Sequence, residues 1–230
     1  MKLLQLNTRE WTVYALAERS ILLSLASSSD NDVEIVQHTS KILESEPVLE
    51  LKDIVASYNS IALFLENPVS SLDDFAQVLQ SISFSEGKSD NDYKIFDIPV
   101  CYDLGIDWKD VSSITGLSKQ EAIKLHTASY YSVALVGFMP GFAYLSGMDK
   151  KLTCPRREFP RIKVPKGAVG IGGAYSGIYS FPCPGGWQII GQTPVSLFDI
   201  HSMPPSSFNV GDRFKFYEIS LDEFNEIEGK

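Results

Sequence analysis

Seven basic residues lie close together in one short segment of an otherwise acidic chain. Between Lys150 and Lys166 there are seven lysines and arginines and one acid, Glu158, so this stretch is +6 in a protein of formal net charge −9. Arginine presents a fixed fork of donors that matches a planar carboxylate. The stretch 150–166, called the basic segment below, therefore predicts a site for a carboxylate, phosphate or carbonate. The alternative interpretation is a solvated basic loop.

The 32 residues that follow, 167–198, contain no Asp, Glu, Lys or Arg. Glycines and prolines within them exclude a membrane-spanning helix, because lipid requires every backbone group to be satisfied within the segment. Two interpretations remain for this uncharged stretch. It is either the buried wall of a barrel or a subunit interface whose centre lacks charge. Trp187 fits both, as a core residue or as the lining of a groove.

Ordered motifs across the same region resemble the allophanate hydrolase subunit 1 family. That family includes the B subunit of bacterial 5-oxoprolinase, the sporulation kinase inhibitor KipI, and one half of the carboxyltransferase region of urea amidolyase. Weaker matches extend back to residues 98–102, Asp107 and His126. The motifs that carry the resemblance are residues 137–145 (GFMPGFAYL), 155–157 (PRR), 160–161 (PR), 167–171 (GAVGI) and 184–188 (PGGWQ).

The resemblance implies three alternative functions. The first, which we adopt as the hypothesis, is the B subunit of an ATP-dependent 5-oxoprolinase complex that hydrolyses 5-oxoproline to glutamate together with its A and C subunits. The second is a KipI-like inhibitor that binds a histidine kinase. The third is a carboxyltransferase half in which biotin and an amide substrate meet at the basic segment. Under the first hypothesis we expect ATP to be bound elsewhere in the complex, this chain to be inactive alone, and the uncharged stretch to contact the C subunit.

Two residues are candidates for catalysis, His126 and Arg161. His126 matches a histidine of the family pattern, and an imidazole can transfer protons near neutral pH or hydrogen-bond a substrate carbonyl. The alternative is a structural histidine. Arg161 could pair with a substrate carboxylate or a carboxyl-transfer intermediate, or equally with acids on a partner subunit.

Six further residues are expected to bind substrate. Two are arginines of the basic segment, and Gly172 allows close approach of a ligand to the backbone. Two are polar groups in apolar surroundings, which need hydrogen-bond partners in the barrel or on a ligand. The six are Arg156, Arg157, Tyr144, Gly172, Trp187 and Gln188.

Composition narrows the class of protein. An isoelectric point near 4.8 argues against nucleic acid, because phosphate binding requires clustered cations. Cys101, Cys154 and Cys183 are an odd number at wide spacing, without a zinc pattern, so we expect no metal or cofactor to be bound by this chain itself. An apolar signal-peptide core is missing after Met1. We therefore expect a cytoplasmic protein with no membrane partner.

The patterns predict an α+β protein of two domains, 1–88 and 89–230. The first reads ββαββα, an antiparallel sandwich with helices on one face. Its helices are expected to begin at the caps Asp30, Asn31 and Asp32 and at Ser70-Ser71. The polar residues 83–92 are expected to form the linker. Its predicted strands are residues 12–17, 21–26, 48–56 and 61–65.

The second domain is expected to be a closed β-barrel, because many short strands alternate with Gly/Pro turns. The family resemblance implies that this barrel is cyclophilin-like. Two helices precede it, one over residues 107–115 that ends at Gly116 and one that begins at a capping box, residues 118–121. The predicted strands are residues 93–100, expected at an edge, and 132–136, 168–171, 177–179, 187–190, 195–199 and 213–219.

Overall fold

The computed structural model describes residues 1–29, 32–84 and 93–229. Contacts divide the chain into two compact units, Met1–Asp92 and Tyr93–Lys230, which are described separately below. Residues 85–92 of the predicted linker, the boundary between 88 and 89, and the predicted caps Asp30 and Asn31 lie outside the described residues. In the three described ranges, every helix is too short or too polar to cross a lipid bilayer.

The N-terminal unit is a five-stranded antiparallel sheet with two helices on one face. The strand order is β1-β2-β3-β5-β4. The strand β1 was not predicted, so the expected order ββαββα lacks its first element. The elements are β1 (Lys2–Leu6), β2 (Arg9–Ala17), β3 (Ser20–Leu25), α1 (Asp32–Glu44), β4 (Leu51–Ala56), β5 (Ser60–Leu65) and α2 (Leu72–Ser81).

Apolar and exposed side chains alternate along the strands, which explains why one face of this sheet is covered by helices. Trp11 and Val13 of β2 are fully buried, as are Ile21 and Leu23 of β3, whereas Tyr14 of β2 is exposed. Successive side chains of a strand point to opposite faces, so residues two apart share the face beneath the helices. Helix α1 packs on β4 and β5, and α2 packs on β1 and β2.

The second unit is built on a seven-stranded curved sheet of order β13-β10-β11-β8-β7-β14-β6, with a small β12-β9 pair beside it. Strands β8, β9 and β12 and the last helix were not predicted. The elements are β6 (Ile95–Val100), α3 (Trp108–Thr115), α4 (Lys119–Ala128), β7 (Tyr130–Val136), β8 (Ala143–Ser146), β9 (Arg161–Val164), β10 (Ala168–Gly172), β11 (Tyr175–Ile178), β12 (Cys183–Gly185), β13 (Gln188–Gln192), β14 (Arg213–Glu218) and α5 (Leu221–Glu228).

The two outer strands of the seven-stranded sheet meet through one antiparallel bridge. The Cys101 N–H donates to the Gln192 carbonyl at 2.9 Å, and the Gln192 N–H donates back to the Cys101 carbonyl at 3.1 Å. Cys101 directly follows β6, and Gln192 ends β13. The sheet therefore curls into a barrel, and the predicted α+β class with an N-terminal sandwich and a barrel unit is confirmed.

Local signals set several helix ends as expected. Gly116 ends α3 in the left-handed region at φ 73°, and Ser118 and Glu121 form the predicted capping box of α4. The predicted strand at 195–199 is wrong. In that stretch the described structure has a single bridge, from Phe198 to Ser206, because no neighbouring strand runs alongside for a longer ladder.

Candidate functional site

A buried carboxylate, Asp107, holds two of the three arginines of the basic segment. Its side chain is only 2% exposed. Arg157 Nη1 donates to Oδ1 at 3.0 Å, and Arg161 Nη2 donates to the same oxygen. Oδ2 accepts the main-chain N–H of Ile189 at 2.6 Å. Two cations and one peptide N–H thus satisfy this carboxylate, as the burial of a charge requires.

The loop before α3 places Asp107 against strand β13. The main-chain N–H groups of Ile106 and Asp107 both donate to the Ile189 carbonyl at 3.0 Å. Gly105 permits this approach, because a Cβ there would lie 2.3 Å from the Ile190 carbonyl oxygen. Asp107 occupies the N-cap position of α3, but its oxygens bind β13 and the arginines rather than the first turn of the helix.

Trp187 lies in the core next to the basic segment and is 5% exposed. Its indole packs on Gly172, where a Cβ would lie 2.5 Å from Cε2. Arg161 Nη1 donates to the Trp187 carbonyl at 3.3 Å. The Arg156 guanidinium lies 5.7 Å from the Trp187 ring centroid, and the Tyr144 ring is also 5.7 Å away. This geometry supports the core interpretation of Trp187, with Gly172 making room for its ring.

Arg156 is open to a ligand. Its side chain is exposed, and within the described part of the chain it makes no ion pair. Its charge acts on two nearby tyrosines. Burial raises the pKa of Tyr144 and raises the pKa of Tyr179 to about 12, and Arg156 opposes both shifts. Both hydroxyls therefore remain protonated at neutral pH, as neutral groups close to this cation.

An open cleft of about 320 Å³ lies between helix α3 and the basic segment. Gln188, which is 4% exposed, lines it and donates from Nε2 to the Pro155 carbonyl at 3.3 Å. Gln188 Oε1 and Arg157 Nε are buried and have no hydrogen-bond partner among the described residues. The side chains that line this cleft include Asp110, Ile114, Arg156, Arg157, Phe159 and Gln188.

His126 lies in the core of the barrel unit, fully buried. Its ring stacks on Phe216 at 4.5 Å between centroids. Tyr102 Oη is 2.7 Å from Nδ1, and Ser176 Oγ is 3.0 Å from Nε2. Since Ser176 also donates to the Gly170 carbonyl at 3.3 Å, a consistent chain has Tyr102 donating to Nδ1 and Nε2–H donating to Ser176.

The structure brings together all the predicted site residues except His126. The three arginines, Trp187 and Gln188 surround Asp107 and the cleft, with Tyr144 and Gly172 packed against the indole. Both nitrogens of His126 are bonded within the chain instead. Its geometry indicates a residue that holds α4 against the barrel, and a catalytic role for it stays an untested prediction.

Lowering the pH is expected to destabilise the protein through His126. Its imidazole titrates near pH 6.5 in an unfolded chain, whereas burial lowers the pKa to about 3 in the folded protein. The unfolded state therefore binds a proton that the folded state excludes. Stability falls as the pH drops from about 6.5 towards 3 and is unaffected by this group at higher pH. His126 alone should cost about 2 kcal/mol at pH 5 relative to pH 7.5.

Urea unfolding of the whole chain at the two pH values measures this loss. The control is His126→Gln, which can hydrogen-bond but cannot titrate, and whose loss between pH 7.5 and pH 5 should be smaller by about 2 kcal/mol. Equal losses in the two proteins would contradict a neutral, buried imidazole.

The uncharged stretch 167–198 forms barrel wall rather than free surface. Five of its 32 residues are exposed, and 19 are buried. The prediction that this stretch offers a long uncharged surface to a C-type partner is therefore wrong, because its apolar side chains are covered by the unit's own core. The five exposed residues are Ala174, Phe181, Pro182, Pro184 and Ser196.

Sequence reasoning missed Asp107 and Asp110 as parts of the site. Asp107 stands at the start of a predicted helix, where an aspartate is expected to cap the helix N-terminus. That expectation gave no reason to look for its ion pairs with arginines 50 and 54 residues away. Its place among the family motifs was the available signal. Tyr102 and Ser176, the partners of His126, were likewise not singled out as partners.

Comparison with known proteins gives close agreement over most of the chain. Residues 11–208 match the family described as carboxyltransferase domain, subdomain C and D. The chain is 31% identical to the 5-oxoprolinase B subunit of Bacillus subtilis (strain 168) over 232 residues, which cover 95% of this chain and 97% of the relative. It is 38% identical to the 5-oxoprolinase B subunit of Haemophilus influenzae over 179 residues, covering 76% and 81%.

The fold agrees with a solved structure as well. The crystal structure of the K. lactis urea amidolyase superposes with a TM-score of 0.79 at 16% identity, covering 100% of this chain and 16% of that chain. At this identity the likeness is one of fold. The resemblance inferred from the motifs around Trp187 and the basic segment is confirmed by the family match, which extends over both units. This chain therefore belongs to the family of carboxyltransferase domains, subdomain C and D.

Proposed function

We propose that this chain is the B-type subunit of an ATP-dependent complex that hydrolyses 5-oxoproline to glutamate together with subunits of types A and C. Relatives that match most of its length carry the name of the 5-oxoprolinase B subunit. The structural observation that carries the proposal is the cleft beside Arg156, where an exposed guanidinium adjoins polar and apolar side chains. Such a cleft suits a small carboxylate that also bears an amide.

ATP is expected to be bound by a partner subunit. In the part of the chain that the structure describes, the glycine-rich run of β10 does not form a dinucleotide-binding loop, because Gly170 and Gly172 pack against Trp187 and lead into strand β11 rather than a helix. The Gly-Lys-Ser sequence at residues 87–89 lacks the first glycine of a phosphate-binding loop, because Ile82 stands at that position, and it lies outside the described residues. In the complex, ATP would supply the activation that a resonance-stabilised lactam needs for hydrolysis. This chain would bind and orient the substrate and would be inactive alone.

Reconstitution tests the proposal. The chain is purified with the A-type and C-type homologues from the same genome, and 5-oxoproline-dependent ATP hydrolysis is measured for each protein alone and in every combination. We expect turnover only with all three. A folded chain that gives no turnover in any combination, but binds the dimerisation domain of a histidine kinase tightly, would overturn the proposal in favour of a KipI-like inhibitor.

A further inference from the structure

The outer face of the N-terminal sheet is apolar, although the core of this unit and both described helices lie on the opposite face. In an antiparallel sheet with one covered face, the side chains of the other face are normally polar, because water surrounds them. Here these positions alternate with buried core residues, but they carry large apolar side chains. Contiguous apolar surface of this kind marks an interaction site. The exposed members are Leu3, Tyr14, Leu16, Val55 and Phe64.

The strand register joins part of this face into one continuous row. Tyr14 of β2 pairs with Leu22 of β3, and Leu22 also pairs with Ala62 of β5. Ala62 in turn pairs with Val55 of β4. Residues directly opposite each other on neighbouring strands share one face of the sheet. An apolar row, called the outer row below, therefore crosses four of the five strands, and each of its members is at least partly exposed.

The charges of this unit lie away from the outer row. Residues 1–92 contain 15 acidic and 6 basic residues. Two acids share the outer face, Glu10 near the start of β2 and Asp53 on the edge strand β4, and both lie at its margins. The acids of α1 and α2 are on the other side of the sheet. A basic partner would therefore meet no acid at the outer row, whereas an identical face can cover it without burying an unpaired charge.

The size of this face determines how strong an interaction it can support. Three of its five strands are six residues long. At about 4.8 Å between strands and about 3.4 Å per residue, the face measures roughly 24 by 20 Å. Two such faces bury about 1,000 Å² in total when they meet, which is near the lower limit for a specific interface. The face is therefore large enough for a dimer that forms at micromolar concentrations.

We propose that a second copy of this chain packs on this face, sheet against sheet, in a symmetric dimer. Two sheets packed in this way lie about 10 Å apart, with their strands within about 30° of each other. In a two-fold dimer each outer row meets its own copy, so apolar side chains face apolar side chains. Leu22, on the middle strand β3, is then covered at the centre of the interface. The dimer is independent of the proposed function.

The mass of the whole chain in solution tests the dimer. Light scattering and sedimentation velocity are recorded from about 1 to about 200 µM protein, the range in which a small interface associates. The mass should rise from that of the monomer, 25.5 kDa, towards twice that value. Association should be at least as tight in ~0.5 M as in ~0.05 M NaCl, because salt screens the repulsion between two acidic chains and leaves apolar contact intact.

Two valines of the N-terminal unit provide a matched pair of variants. Val55→Lys places a charge in the outer row, whereas Val48→Lys makes the same change at an exposed position outside the sheet, in the 3-10 helix Pro47–Leu49. The first should weaken the dimer by about tenfold, since the interface would hold an unpaired charge, and the second should leave it unchanged. Leu22→Lys should abolish it. Thermal unfolding shows whether each variant folds, and the two valine variants decide if Leu22→Lys does not.

Four results would overturn the inference. One is a wild-type chain that stays monomeric up to about 200 µM. The second is equal dimerisation of folded Val55→Lys and Val48→Lys, and the third is a dimer that survives in folded Leu22→Lys. The fourth is a dimer that dissociates as salt is raised, which is the behaviour of charged contacts. A monomeric wild-type chain whose Leu22→Lys variant no longer assembles with the C-type subunit would assign the face to that subunit instead.

Discussion

Replacing Asp107 by alanine is expected to lower the free energy of unfolding by about 3 kcal/mol. The carboxylate is 2% exposed and is shared by Arg157, Arg161 and the Ile189 N–H. Its removal leaves a buried peptide N–H without its acceptor, and it leaves Arg157 with Asp110 and Arg161 with the Trp187 carbonyl as their acceptors. We place the cost at the lower end of the range for breaking a buried pair, because the arginines are 31% and 20% exposed and can turn to solvent.

Asp110→Ala is the control for this prediction. Asp110 binds the same nitrogen of Arg157 at 2.8 Å, but its side chain is 51% exposed. A pair of this kind contributes about 1 kcal/mol or less, because water solvates the separated charges. Urea unfolding followed by circular dichroism and tryptophan fluorescence measures both variants. Equal destabilisation by the two substitutions would contradict the central role of Asp107.

Asp107→Ala should also abolish turnover by the reconstituted complex at temperatures where the variant is still folded. Without Asp107, the Arg157 side chain that lines the cleft loses its buried acceptor and keeps only the exposed Asp110. Asp107→Asn keeps one acceptor for the Ile189 N–H and loses the charge. We expect it to fall between the wild-type protein and the alanine variant in both stability and activity. An active alanine variant would show that the arginines keep their positions without this carboxylate.

Replacing Arg156 by alanine is expected to raise the KM of the complex for 5-oxoproline by about 10- to 150-fold, which corresponds to the loss of a hydrogen bond to a charged group. The kcat should change little, because a contact to the substrate carboxylate is made equally in the ground and transition states. Stability should stay close to that of the wild-type protein, since Arg156 is exposed and contributes mainly a ring contact to Trp187.

Two further variants separate the specific effect of Arg156 from that of charge in general. Lys163→Ala removes one positive charge from the same segment at an exposed position on β9, and it should leave the KM nearly unchanged. Arg156→Lys keeps the charge without the planar fork, so it should recover only part of the affinity. Steady-state kinetics over a range of 5-oxoproline concentrations measures all three. Similar KM values for Lys163→Ala and Arg156→Ala would refute a specific contact.

Short-range signals predicted the helix ends of this protein well. Gly116, Ser118 and Glu121 act within a few residues of their own position, and Ser71 accepts the Asp74 N–H at the start of α2 as its sequence suggests. Such interactions depend on the local chain alone. The charge-free run at 167–198 likewise indicated barrel wall as one of two interpretations, because alternating burial within a closed sheet leaves little place for charge.

The contacts that the sequence did not predict are those between residues far apart in the chain. Asp107 meets Ile189 across 82 residues, and Tyr102 and Ser176 reach His126 from either side in the chain. A single sequence lists the residues but not which of them become neighbours in a barrel. Arg161 was therefore predicted as catalytic and Arg156 and Arg157 as substrate-binding, with acids of a partner subunit as the alternative. In the structure, Arg157 and Arg161 are bound to a carboxylate of their own chain.

The position of β14 in the sheet determines when this protein can complete its fold during synthesis. This late strand lies between β7 and β6, and it pairs in parallel with β6 from Ile95 to Val100. A nascent chain that ends at Asp212 would leave the adjoining edges of β6 and β7 unpaired and open to wrong partners. The N-terminal unit has its own core and can mature on the ribosome. The barrel must therefore wait until Arg213–Glu218 has been synthesised.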